Sequence, residues 1–118
     1  MPFDIQVLAF GDELAIVALS DEVFAEYQLR IDERSPFQHT LVWAYCNCTE
    51  NYIPSDREHR RGGYEIIGGP LRYPYHTGPA RGAEALILGQ VARMLDRAIQ
   101  NLAGLDLAGL GDPRGLRA

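Results

Sequence analysis

The chain has 118 residues, 47% of them hydrophobic and 23% charged, with a formal net charge of -5. That length suits one domain around one core, and the composition is that of an ordinary globular protein. The acidic balance argues against a general nucleic-acid binder, which needs a basic stripe, and no run approaches the roughly 18 apolar residues of a membrane span.

Residues 3–10 (FDIQVLAF) alternate with period two and predict a strand with Phe3, Ile5, Val7 and Ala9 on one face. Gly11-Asp12 is a turn signal, with Glu13 belonging to the same turn. Residues 14–19 (LAIVAL) are a short continuous apolar run, as expected of a buried strand, and the two strands should form an antiparallel hairpin. Ser20 is a good N-cap, and Asp21 and Glu22 fill a first helical turn, where acids suit the dipole. Val23, Phe24, Tyr27 and Ile31 recur at helical spacing, so a helix is expected to about residue 33, ended by Ser35-Pro36. Residues 39–46 (HTLVWAYC) are rich in β-branched and aromatic types and predict a third strand.

Residues 47–81 are polar and dense in glycine and proline, a loop whose length is uncommon in a compact domain unless it is functional. A short extended piece is expected at Tyr64–Ile67. Arg57, Arg60 and Arg61 cluster there and read as a solvated surface. Residues 82–102 predict the best helix, with Ile87, Val91, Leu95, Ala98 and Leu102 in one stripe. Glu84, Arg93, Asp96, Arg97, Gln100 and Asn101 fall mostly on the other side. The glycine-rich stretch 103–118 is expected to be a flexible tail.

The order β-β-α-β-loop-α implies an α/β fold in which two helices cover a small sheet. So thin a sheet leaves an unprotected edge, so the chain is expected either to form a homo-oligomer or to be one piece of a larger layered α/β domain. Cys46 and Cys48 are the only cysteines. A bridge between them would close a very short, strained ring, so they are expected to be free thiols. Met1-Pro2-Phe3-Asp4-Ile5 lacks the basic and apolar regions of a secretory signal, so the chain as written is expected in the cytoplasm, or outside the cell if cut from a longer precursor.

Two residues stand out for chemistry. Glu22 is a carboxylate just after a buried strand, where α/β folds build sites, and Tyr52 lies in a polar loop after the next strand. The plainer alternative makes Glu22 a dipole-favoured first-turn acid and Tyr52 a half-buried aromatic.

Three stretches, FGDELAIVALSDEVFAEYQLRI, TLVWAYCNCTENYIPSDREHRRGGYE and GAEALI, carry a resemblance to the neutral/alkaline, non-lysosomal ceramidases and their bacterial relatives. The resemblance spans roughly residues 5–102 and corresponds to the last part of that family's catalytic domain. It implies a partial ceramidase-like domain over 1–102. The family is a zinc amidase whose metal is held by two histidines from earlier segments, the Glu of a Pro-Gly-Glu and the Tyr five residues after an Asn. Glu22 and Tyr52 resemble that Glu and Tyr, with Asn47 as the Asn. Tyr64, twelve residues after Tyr52, resembles the family's oxyanion-stabilising tyrosine. Where the family has Pro-Gly-Glu, this chain has Ser20-Asp21-Glu22, and the two zinc histidines have no counterpart.

The resemblance therefore implies a fragment or subunit of a ceramidase-like zinc-dependent amidohydrolase, with a missing N-terminal half or a partner chain supplying the histidines. Zinc suits oxygen and nitrogen donors, and a catalytic site keeps a position open for water. The alternative is a non-catalytic remnant acting as an oligomerising or binding module. A third reading recruits His59 or His76 into a new metal site across a dimer; His39 is the remaining histidine.

Overall fold

The computed structural model describes residues 2–69, 71 and 79–108. It is a small α/β domain. Strands β1 (Ile5–Phe10) and β2 (Leu14–Leu19) form the expected antiparallel hairpin, with Val7 opposite Val17. Gly11 turns the chain at φ 59, a left-handed conformation that glycine adopts freely. The chain leaves β2, passes through helix α1 (Glu26–Arg34) and returns as β4 (His39–Trp43), parallel to β2. The sheet order is β1-β2-β4, which places the apolar β2 at the centre.

Helix α1 begins five residues later than the sequence suggested. Asp21 takes φ 62, and the next residues form a short strand, β3 (Glu22–Val23). β3 pairs in parallel with β5 (Tyr52–Ile53), inside the segment expected to be loop. The N–H groups of Asp21, Glu22 and Phe24 donate to the carbonyls of Cys48, Asn51 and Ile53 at 2.8, 3.0 and 3.2 Å. Ser20 is not an N-cap: it is buried, and its hydroxyl accepts from the Asp4 N–H at 3.0 Å. A non-local ladder has taken the backbone groups that the first helical turn would have used.

β4 also ends earlier than expected, because Tyr45 and Asn47 turn the chain at φ 61 and 66. Helix α2 (Asp56–Arg61) follows β5, capped by Ser55, whose hydroxyl accepts from the Glu58 N–H. Arg57 pairs with Glu26 and Glu58, and Arg61 with Glu58, so much of the arginine cluster belongs to exposed ion pairs. Tyr64–Gly68 is a single π-helical turn, not an extended piece, closed by the Gly69 N–H on the Tyr64 carbonyl. Helix α3 runs from Ala83 to Ala108, so the first residues of the expected tail continue the helix.

The core lies on one face of the sheet. Ala15, Val17 and Leu19 of β2 meet Tyr27 and Ile31 of α1 and Ile87, Val91 and Leu95 of α3. The predicted apolar stripe of α3 is thus the one that packs. Glu84 is the exception to its polar side: it is 4% exposed, pairs with Arg30, and accepts from the Asp56 N–H at 2.7 Å. Asp56 in turn accepts from the Gly82 N–H at 2.9 Å, tying the starts of α2 and α3 together. α1 is fastened to β4 by Gln28, whose amide donates to the Thr40 carbonyl at 2.8 Å and accepts from the Val42 N–H at 2.7 Å. One outer-edge stretch of β4 is thereby covered by a side chain.

The opposite sheet face has no helix on it among the described residues. Leu8, Phe10, Leu41 and Trp43 on that face are 47%, 56%, 46% and 51% exposed.

Candidate functional site at the β3–β5 ladder

The site lies past the carboxyl ends of β2 and β4, where both strands give way to tight turns and then to the β3–β5 pair. This is where open α/β sheets present ligand-binding groups. Glu22 and Tyr52 are register partners in this ladder. Partners in a parallel ladder project to the same side, with strands about 4.8 Å apart. The Tyr52 and Tyr64 rings meet edge to face, with centroids 6.3 Å apart and planes at 75°. Glu22, Tyr52 and Tyr64, from three separate elements, therefore form one cluster. Glu22 and Tyr52 are half-buried, and Tyr64 is exposed.

Asp21 organises this cluster, although its place in the sequence suggested only a helix start. It is fully buried. Its Oδ1 accepts from the N–H of Glu50 at 2.7 Å and of Asn51 at 3.2 Å, which fixes the approach to Tyr52. Its own carbonyl accepts from the Tyr45 N–H at 2.9 Å. Oδ2 is buried and makes no hydrogen bond. The φ of 62 is the region that glycine favours and that aspartate tolerates better than most residues. The available signal was Asp21 itself, a residue type that enters left-handed turns and bonds backbone N–H groups nearby.

The π turn positions Tyr64 and presses on Tyr52. A Cβ on Gly69 would lie 2.7 Å from Tyr52 Cδ2, so glycine is required for the ring to pack there. π turns are rare and often sit at functional sites. Cys46 and Cys48 are free thiols on the segment between β4 and β5. Desolvation and the Asp21 carboxylate push the Cys48 thiol up, opposed by a hydrogen bond with Ser20.

The histidines do not join this cluster. His39 begins β4 opposite Leu14, at the far end of the sheet from Glu22. His59 is on α2, with its Nε2 buried and without a hydrogen bond, and His76 lies outside the described residues. Among the described residues, no three of His, Cys, Asp and Glu converge as a metal-binding group. Glu22 and Tyr52 offer two oxygen donors, fewer than the three protein ligands usual in a catalytic zinc site.

Apart from this cluster, a shallow cleft of about 310 Å³ lies between α1 and the starts of α2 and α3. Its charged lining includes Arg30, Asp56 and Glu84, which are engaged in the contacts that join those helices. No family model, curated protein or solved structure matches the chain.

Proposed function

We propose that this chain is a fragment or subunit of a ceramidase-like, zinc-dependent amidohydrolase, contributing one side of the metal and oxyanion site. The observation that carries the reading is the register pairing of Glu22 with Tyr52, with the Tyr64 ring against Tyr52. In this reading the Glu22 carboxylate and the Tyr52 phenol oxygen are metal donors, and the Tyr64 hydroxyl donates a hydrogen bond to the developing oxyanion. Bound zinc would supply an activated water and polarise the amide carbonyl. The left-handed Asp21 supports the resemblance, because it keeps a glycine-like turn before the acid. The missing donors would come from another segment or chain, since two oxygens alone give a weak site.

The test is zinc titration of the chain followed by native mass spectrometry. Weak uptake is expected, lost in Glu22→Ala and reduced roughly tenfold or more in Tyr52→Phe, since lost metal-site interactions commonly cost that much affinity. Zinc uptake unchanged by Glu22→Ala would defeat the reading.

A further inference from the structure

The uncovered sheet face is not an ordinary protein surface. Its centre is Ile16, flanked in register by Leu8 on β1 and Leu41 on β4. The next row on one side runs Phe10, Leu14, His39, and on the other Gln6, Ala18, Trp43. No carboxylate and no lysine or arginine occupies these positions. β2 is apolar on both faces, the pattern of a strand buried on both sides, and its Ile16 and Ala18 are already 8% and 5% exposed in the single chain, so the bare area belongs to the flanking strands β1 and β4. Four large side chains about half exposed leave on the order of 400 Å² of apolar area bare, near the upper end of what monomers tolerate.

We propose that this face docks a second copy of this chain, sheet against sheet, about a two-fold axis running along β2. Packed sheets keep their strands nearly aligned. In that arrangement Leu8 meets the partner's Leu41, and β2 lies over β2. The two aromatic corners do not collide: Phe10 falls over the partner's His39, and Trp43 over the partner's Gln6. With its polar rim, each copy would bury roughly 600–800 Å², which reaches the lower range of specific interfaces. The acidic chains can approach because the face itself carries no carboxylate. Pairing through the outer edge of β4 is disfavoured, since Gln28 already bonds its backbone there. The docking face uses none of Glu22, Tyr52 and Tyr64, and the proposal takes the chain as a subunit, not as a fragment whose missing half covers this face.

Sedimentation equilibrium of the chain, alone and as Leu8→Glu and Leu41→Lys, tests it. The unsubstituted chain is expected to show twice the chain mass at high micromolar concentration. Each variant alone is expected at half that mass, with unchanged circular dichroism because both positions are half-exposed in the single chain. Mixing the two variants should restore a one-to-one dimer, because the introduced carboxylate of one chain then faces the introduced ammonium of the other, while the second contact stays leucine on leucine. A folded monomer of the unsubstituted chain would overturn the proposal and leave the face to a different polypeptide. So would a Leu8→Glu chain that stays dimeric, or a mixture that stays monomeric.

Discussion

Asp21 shows how one residue can hold a site together without facing a ligand. Its Oδ1 accepts two backbone N–H groups from the segment entering Tyr52, and its backbone adopts a left-handed turn. Asp21→Ala removes both acceptor contacts and places alanine in a conformation that costs it about 1–2 kcal/mol. With two charge-assisted hydrogen bonds contributing about 1.5–3 kcal/mol each, and relief of the buried, unpaired Oδ2 offsetting part of the loss, a net destabilisation of about 3 kcal/mol or more is expected. Urea unfolding monitored by tyrosine and tryptophan fluorescence would measure it. Asp21→Asn keeps an acceptor oxygen and should lose less. Equal losses in the two variants would mean that the acceptor contacts contribute little.

The π turn and β5 work as a pair of elements. Gly69 ends the turn directly against Cδ2 and Cε2 of the Tyr52 ring. Gly69→Ala forces the ring or the turn to move, at a cost of about 1–3 kcal/mol for overpacking a close contact. The expected signature is a changed near-ultraviolet circular dichroism signal from the Tyr52–Tyr64 pair, with helical content preserved. An unchanged aromatic signal would show that the contact yields freely. At the same scale, α3 was legible from its apolar spacing, whereas the late start of α1 was not. The sequence at 20–24 is compatible with a helical first turn, and a β3–β5 ladder formed across thirty residues decided against it.

For the whole molecule, one-sided helix coverage and buried ionisable groups set stability. Tyr27 is fully buried between α1 and the β5–α2 connection, and its hydroxyl donates to the Pro54 carbonyl at 3.4 Å. Desolvation first, then the charge of Asp56, push its phenol well above the ordinary value. The folded protein therefore holds this proton more tightly than the unfolded chain does. The resulting stability is complete below the unfolded phenol value of about 10 and is lost as pH rises from there through the folded value. Alkaline titration of the unfolding free energy should show a decline above about pH 10. Tyr27→Phe should flatten that decline, at a neutral-pH cost of about 0.5–1.5 kcal/mol for the lost hydrogen bond. An equal decline in Tyr27→Phe would assign the alkaline loss to other groups.

The sequence by itself determined the α/β class, the β1–β2 hairpin, the third strand of the sheet and the apolar stripe of α3, because side-chain periodicity is a local property that follows the strand or helix repeat. It also singled out Glu22 and Tyr52, and the ceramidase resemblance added Tyr64, as residues worth following. Only the tertiary structure decided that Glu22 lies on a strand beside Tyr52, that Tyr64 reaches them through a π turn, and that Glu84 is buried with Arg30. It also decided that both long helices pack on one face and leave Leu8, Phe10, Leu41 and Trp43 uncovered. Each of these depends on which distant backbone groups and surfaces pair, and such pairing is set by the competition among all the segments for partners, not by any one segment's own pattern.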